Sequence, residues 1–142
     1  MIQVCSFQFS DQEKFNQALQ IRTKVFVEEQ HVDKRLEFDG KDPESKHYLA
    51  LYNNTAVGTA RWRKTTYGIK LERFAILQEY RSKKIGQEIL NCVLADVTTL
   101  KDPIYLNSQK SAIGFYLKNG FFIHGESFFE AEIEHVRMVY LK

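Results

Sequence analysis

The segment Arg81-Ser82-Lys83-Lys84-Ile85-Gly86 gathers three cations and a glycine at one junction of the chain. The run before it, Ile69 to Leu77, alternates through Leu71, Arg73, Ala75 and Leu77 and predicts a strand. The run after it extends from about Ile85 to Val97. Ile85, Ile89, Leu90, Val93, Leu94 and Val97 fall there at the spacing of one helix face. A helix N-terminus presents backbone N–H groups that have no partner within the helix, at the positive end of the helix dipole. A strand, a basic turn and a helix start therefore suit an anion, and the expected ligand is a phosphate-bearing cofactor. The same residues are equally compatible with a plain solvated basic turn. They form neither a P-loop nor a dinucleotide fingerprint.

The rest of the chain supplies the elements that must position this junction. Val4 to Phe9 predicts a first strand, and Ser10 with Glu13 reads as a capping box that opens a helix. That helix carries Phe15, Ala18, Leu19, Val25 and Phe26 on one face, with Arg22 inside the stripe. A guanidinium there must pair with a carboxylate or line a cavity. Glu28 to Glu44 is polar and acidic, and long for a connection; it reads either as a substrate-recognition loop or as an acidic surface loop. His47 to Tyr52 and Ala56 to Arg63 form a hairpin around Asn53-Asn54-Thr55. Past the Ile85 helix come a strand from Ile104 to Ser108 and a helix from Gln109 to Asn119, with Gly120 at its C′ position. Two strands, Phe121 to Glu126 and Glu134 to Leu141, flank an acidic, aromatic loop. The order β-α-loop-β-β-β-α-β-α-β-β predicts an α/β fold, one mixed sheet covered by helices, with residues 1–142 as a single domain.

Composition narrows the function classes. The 142 residues are 44% hydrophobic and 27% charged, with a net charge of +2, too small a field to argue for nucleic acid. No apolar run approaches the roughly 18 residues of a membrane span. No signal peptide is evident at the N-terminus, and Cys5 and Cys92 lack metal-ligand neighbours at useful spacing. The expectation is a cytoplasmic protein with buried, reduced thiols, no metal and no membrane or nucleic-acid partner.

Arg81 to Gly86, following Glu72-Arg73-Phe74-Ala75-Ile76, resembles the acyl-CoA loop of the GNAT superfamily of N-acetyltransferases, with Lys84 where that pattern usually has glycine. Gln109-Lys110-Ser111-Ala112 and Phe115-Tyr116-Leu117-Lys118-Asn119-Gly120-Phe121 resemble the family's N-x-x-A-x-x-F-Y-x-x-x-G-F. Arg22 and Val25 to Gln30, then Glu37, Asp39 and Asp42, resemble the opening of the ElaA-type branch, and Gly125 to Met138 its end. The resemblance spans nearly the whole chain. It implies a mostly antiparallel mixed sheet in which the strands ending at Leu77 and starting at Ile104 are parallel neighbours that splay apart. It implies acetyl-CoA as co-substrate, and a small-molecule or peptide amine as acceptor, in a monomer or homodimer. Backbone groups of Phe74, Ala75 and Ile76 would pair with the pantetheine arm, and those of Arg81, Ser82, Lys83, Lys84, Ile85 and Gly86 with the pyrophosphate. Asn107 and Gln109 would contact the cofactor from its other side. Arg22, Glu28, His47 and His135 are the candidates for the acceptor site.

The implied reaction is direct attack of an amine on acetyl-CoA. A lysine-like amine is only about 0.1% neutral near pH 7.4, a cost of roughly 4 kcal/mol, so a general base matters for such acceptors. Glu72 is the leading base, on the face of Phe74 if no bulge intervenes; His47 and His135 follow. Tyr116 is expected beside the thioester sulfur, as hydrogen-bond donor to the departing thiolate. The alternative is a non-catalytic acyl-CoA-binding or regulatory module on the same fold.

Overall fold

The computed structural model describes all 142 residues. Eight strands form one sheet: β1 Ile2–Gln8, β2 Lys46–Tyr52, β3 Thr55–Lys64, β4 Ile69–Ile76, β5 Ile104–Gln109, β6 Phe121–Ile123, β7 Phe128–Glu130 and β8 Ile133–Tyr140. Their spatial order is β1-β2-β3-β4-β5-β8-β6, with β7 also paired to β8. All pairings are antiparallel except β4 with β5. Four α-helices accompany the sheet: α1 Gln12–Arg22, α2 Lys34–Glu37, α3 Ile85–Val97 and α4 Ile113–Leu117. The mixed α/β architecture and the single parallel pair are as expected.

The two sheet faces differ in chemistry because strand side chains alternate. One face sends Tyr48, Ala50, Val57, Ala60, Leu71, Leu106 and Met138 into a core shared with Ile85, Ile89, Leu90 and Val93 of α3. Gly58 lets α3 approach: a Cβ there would lie 2.8 Å from Ile76 Cδ1 and 3.0 Å from Ile89 Cδ1. The other face packs Phe7, Leu49 and Ala75 against Phe15, Ala18 and Ile21 of α1. Beyond that patch the same face turns ionic, because His47, Arg61 and Glu72 lie in register across β2, β3 and β4.

Several local expectations are corrected. The α1 cap is Asp11, not Ser10, and no capping box forms: Asp11 accepts from the backbone N–H of Lys14 at 3.3 Å and from its ammonium at 3.1 Å. A carboxylate that gains an ion pair outcompetes a hydroxyl as cap. The helical stripe does not continue unbroken to Phe26. After Arg22 the chain widens into π-helical turns over Thr23–Glu29, closed by Gln30 N–H donating to Val25 O. The Glu28–Glu44 stretch is not structureless but carries α2 and a short 3-10 turn, Asp42–Glu44. The helix expected from Gln109 to Asn119 shrinks to α4 behind a 3-10 turn, because β5 runs on through Gln109. The acidic, aromatic loop holds β7, folded onto β8 through Ala131 and Glu132, both in the left-handed region.

The decisive feature lies in β4. Thr59 pairs with Ala75 but Arg61 with Glu72, so two steps along β3 match three along β4. The extra residue is a bulge at Arg73, whose φ is +60°. The face expectation for Glu72 fails for this reason. Glu72 joins the ionic face, whereas the Phe74 ring turns to the α3–α4 side and lies 6.2 Å from Tyr116. The pairing of β4 with β5 covers only Ile69–Leu71 and Ile104–Leu106; beyond it the two strands part.

Candidate functional site

Two cavities flank the parted strands and share Ile76 and Arg81. The smaller, about 550 Å³, borders the start of α3 and is lined by Ser82, Lys84, Ile85, Gly86, Gln87 and Phe115 among others. Ser82 and Lys84 both hold positive φ, +70° and +66°, so the turn winds tightly into the helix. No side chain caps α3, and its first-turn N–H groups remain available at the cavity. Lys84, where the family pattern usually has glycine, holds a left-handed conformation of the kind glycine favours. Lys83 turns aside, its ammonium 5.4 Å from the centre of the Tyr52 ring. A Cβ on Gly86 would meet only Phe115, at 3.9 Å. The protein itself leaves room there, so the bare backbone serves whatever enters the cavity.

Arg81 stands between the cavities. Its guanidinium is held by Glu29 in a two-pronged pair at 2.7 and 2.8 Å, and its Nε donates to Ile76 O at 3.0 Å. A second bridge, Gln109 Nε2 to Gln30 Oε1 at 2.9 Å, ties the end of β5 to the same π-helical segment. The segment thus arches over the gap and is anchored on both sides.

The larger cavity, about 690 Å³, is a chamber under this arch. Phe74, Ala75, Ile76, Asn107, Gln109, Tyr116, Glu72 and His135 all border it. Tyr116 is only 7% exposed, and its hydroxyl engages no group of the protein. Burial pushes its pKa up, so the phenol keeps its proton. Asn107 Oδ1 is buried and unpartnered. His135 Nδ1 lies 2.7 Å from Ile133 O; a carbonyl only accepts, so Nδ1 carries a hydrogen, and in the neutral ring Nε2 is then the acceptor. Its ring stacks on Phe128.

An ion network reaches the chamber wall through Glu37, Asp39, Arg63, Lys70, Glu72 and Arg73 and continues behind it. Arg22 donates to Glu37 Oε1 at 2.6 Å and to Asp42 Oδ1 at 2.7 Å. Arg61 reaches Asp42 at 2.7 Å, Asp39 at 2.8 Å and Glu72 at 2.9 Å. Arg63 Nε meets Glu72 at 2.6 Å, and Lys70 meets it at 3.3 Å. Arg73 pairs with Glu37 at 3.0 Å and Asp39 at 3.3 Å. Burial works to raise Glu72, but the charges of Arg61 and Lys70 outweigh it and hold the carboxyl below its usual range. Burial also opposes ionisation of Asp39, yet the Arg61 hydrogen bond keeps its pKa at about 2. Burial wins at Glu37, whose pKa rises despite Arg73 and Arg22.

Three residues expected at an acceptor site are elsewhere. Arg22 is sealed in the ion network, which satisfies the expectation that it pairs with a carboxylate. His47 is buried between Phe7 and Phe15 with Nε2 on Asp42 O, and burial lowers its pKa. Glu28 is exposed and off the chamber wall. Sequence reasoning missed Glu37, Arg63, Lys70 and Arg73 as wall residues. The alternation Arg61, Arg63 and Lys70, Glu72 was the available signal, since residues two apart share a strand face.

Residues 7–142 match the model of the acetyltransferase (GNAT) domain. The uncharacterized N-acetyltransferase YjcF of Bacillus subtilis (strain 168) is 35% identical over 132 residues, covering 91% of this chain and 94% of that protein. The crystal structure of ElaA from Escherichia coli superposes with a TM-score of 0.89 at 27% identity, over 99% of this chain and all of that one. A GNAT family acetyltransferase from Elizabethkingia anophelis with acetyl-CoA bound shares the fold, with a TM-score of 0.67 at 19% identity over 97% and 94% of the two chains.

Proposed function

Because this chain belongs to the GNAT acetyltransferase family, we propose that it transfers the acetyl group of acetyl-CoA to a primary amine by direct attack within a ternary complex. The observation that carries the reading is the pair of cavities joined at Ile76 and Arg81, one bordered by bare helix N–H groups and the other by Tyr116. The residues suit such a ligand. Unpaired N–H groups at Ile85 to Gln87 and the dipole of α3 favour a pyrophosphate. Gly86 keeps the approach open, and the unpartnered Asn107 Oδ1 offers an acceptor to an amide N–H of the pantetheine arm. Beyond the bulge, the β4 backbone from Phe74 to Ile76 has no strand on its β5 side and is available to an extended ligand. Acetyl-CoA supplies an activated thioester there.

Within this reading Tyr116 donates a hydrogen bond to the departing sulfur. Its raised pKa keeps the donor in place across neutral pH while opposing complete proton transfer. Glu72 suits the base role poorly. Its carboxylate is shared by three cations, which lowers its appetite for a proton. His135 suits it better: the Ile133 carbonyl fixes its tautomer and leaves Nε2 at the chamber wall.

The test is release of CoA thiol from acetyl-CoA over a panel of primary amines, alongside acetyl-CoA binding by thermal shift. We expect both a rise in melting temperature and amine-dependent thiol release. Stabilisation without release from any amine would instead support a non-catalytic acyl-CoA-binding module. His135→Gln should cost more rate with a high-pKa amine than with a low-pKa one, a difference a purely structural histidine would not produce.

A further inference from the structure

Two cations of the chamber wall are under-paired. Arg63 and Lys70 sit directly opposite each other in the β3–β4 register. Like charges at such a position repel, with Cβ atoms about 5 Å apart. Each side chain is only 16% exposed, so water screens them weakly. The other three cations of the network each hold two or more carboxylates: Arg22 has Glu37 and Asp42, Arg73 has Glu37 and Asp39, and Arg61 has Asp39, Asp42 and Glu72. Arg63 and Lys70 share Glu72, which Arg61 already engages. Their one other carboxylate, Glu44, is 3.8 Å from Arg63 Nη1, beyond hydrogen-bond range, and largely exposed. The guanidinium edge of Arg63 and two ammonium hydrogens of Lys70 are thus available at a wall that both residues line. Buried cations with free donors call for an anion.

Resting on the acetyl-transfer reading, we propose that the acceptor is a small amine that also carries an anionic group, carboxylate or phosphate, held by Arg63 and Lys70. The amine end then extends along β4 toward Phe74 and Tyr116. A polyamine or other polycation is a poor fit, because the charged side chains lining the chamber include as many cations as carboxylates, and the carboxylates nearest this pair are already engaged. The acyl transfer itself is unchanged: the neutral acceptor nitrogen forms the new amide bond to the acetyl carbon, the C–S bond breaks to release thiolate, and the proton the nitrogen gives up to the base is passed on to that thiolate, so CoA leaves as thiol.

The experiment uses the purified full chain and four acceptors of matched length: hexylamine, 1,6-diaminohexane, 6-aminohexanoate and 5-aminopentyl phosphate. Thiol release should favour at least one of the two anionic amines over hexylamine by tenfold or more in kcat/KM, with the diamine lowest; the better anionic arm identifies the group. Lys70→Gln and Arg63→Gln should each shrink that preference by about tenfold, mainly through KM, and Lys70→Arg should restore most of it. Melting temperature monitors folding, and if Arg63→Gln proves unstable the Lys70 pair decides alone. Preference for hexylamine or the diamine, or an unchanged preference in Lys70→Gln, overturns this proposal and leaves acetyl transfer standing. No thiol release from any of these or other amines defeats the transfer reading and this inference with it.

Discussion

The two cavities on either side of Arg81 are made of different material. The one at α3 is mostly main chain: left-handed turns at Ser82 and Lys84, an uncapped helix start and a glycine. The chamber draws on side chains: Arg63, Lys70, Arg73, Glu37, Asp39 and Glu72 on its wall belong to an ion network that Arg22, Arg61 and Asp42 complete behind it. Main-chain donors recognise an anion of almost any attachment, while a charged side-chain wall selects by sign and position. Under the acetyl-transfer proposal, the common ligand and the selective one would be handled by separate physics in adjoining volumes. The contrast also says where damage should spread.

The largest effect belongs in the ion network behind the chamber. Arg61 serves Asp39, Asp42 and Glu72 at once and is fully buried. Arg61→Met leaves three carboxylates facing one another without their shared partner. Breaking a buried ion cluster this way costs about 3–5 kcal/mol, to be read from urea denaturation. A loss under about 1 kcal/mol would mean that the network is slack and the contrast false.

The α3 side should respond in the opposite manner. Gly86→Val places branched carbon in the cavity mouth with only Phe115 near it, and valine propagates a helix no worse than glycine. Stability should hold within about 1 kcal/mol while CoA affinity falls by roughly tenfold or more, a loss of at least 1.4 kcal/mol of binding. Calorimetric titration with CoA measures it, and normal binding would remove the cradle from this turn. Tyr116→Phe changes only the wall of the larger chamber. It should lower turnover by roughly 10- to 100-fold and leave CoA affinity alone, since the hydroxyl touches neither the phosphate donors nor any protein group.

This division explains which parts were legible in the sequence. The strand, basic turn and helix at Ile69–Val97 are contiguous, so their periodicity predicts the elements and their turn chemistry points to an anion at the helix start. The chamber depends on contacts such as Arg61 with Asp39, 22 residues apart, and Gln109 with Gln30, 79 apart. No local pattern encodes those. The bulge at Arg73 was illegible for another reason: arginine has no preference for a left-handed φ, and the sheet imposes it. That single residue turned Glu72 away from the face of Phe74 and undid the strand argument for its role as base. Asn107 and Gln109 are reached only through the family resemblance, and the strand pattern by itself ends β5 one residue early, at Ser108.

A smaller effect follows from pH. Asp39 is held at about 2 in the fold against an ordinary aspartate near 3.9. A depressed carboxyl adds stability above its unfolded pKa and loses it as pH falls through the folded value, here between about pH 4 and pH 2. Glu72 and Asp42 shift in the same direction and steepen the same limb. Glu37 has the opposite sign, so it disfavours the fold as pH rises above the ordinary glutamate range. Asp39→Asn should flatten the acid limb of a melting-temperature profile, and an unchanged limb would mean that the arginines do not hold Asp39 down.

The smallest effect tests the main-chain side at the second of its two left-handed residues. Lys84 occupies a left-handed position, φ +66° and ψ +19°, immediately before α3. An L-residue with a Cβ is strained there by roughly 1–2 kcal/mol, and glycine is not. Glycine in turn loses about 0.5–1 kcal/mol through the freedom it gains in the unfolded chain. The balance favours Lys84→Gly by a few tenths to about 1 kcal/mol, a gain visible as a slightly raised urea midpoint. CoA affinity should move the other way. Lys84 borders the α3 cavity, and removing one ammonium beside a pyrophosphate should weaken binding a few-fold at low salt, with the difference shrinking as salt rises. Lys84→Asn separates the two contributions, because asparagine tolerates the left-handed region yet carries no charge. If Lys84→Gly and Lys84→Asn bind CoA as tightly as the parent at low salt, the ammonium contributes nothing. The cradle is then main chain alone, and the contrast between the two cavities is sharper than drawn.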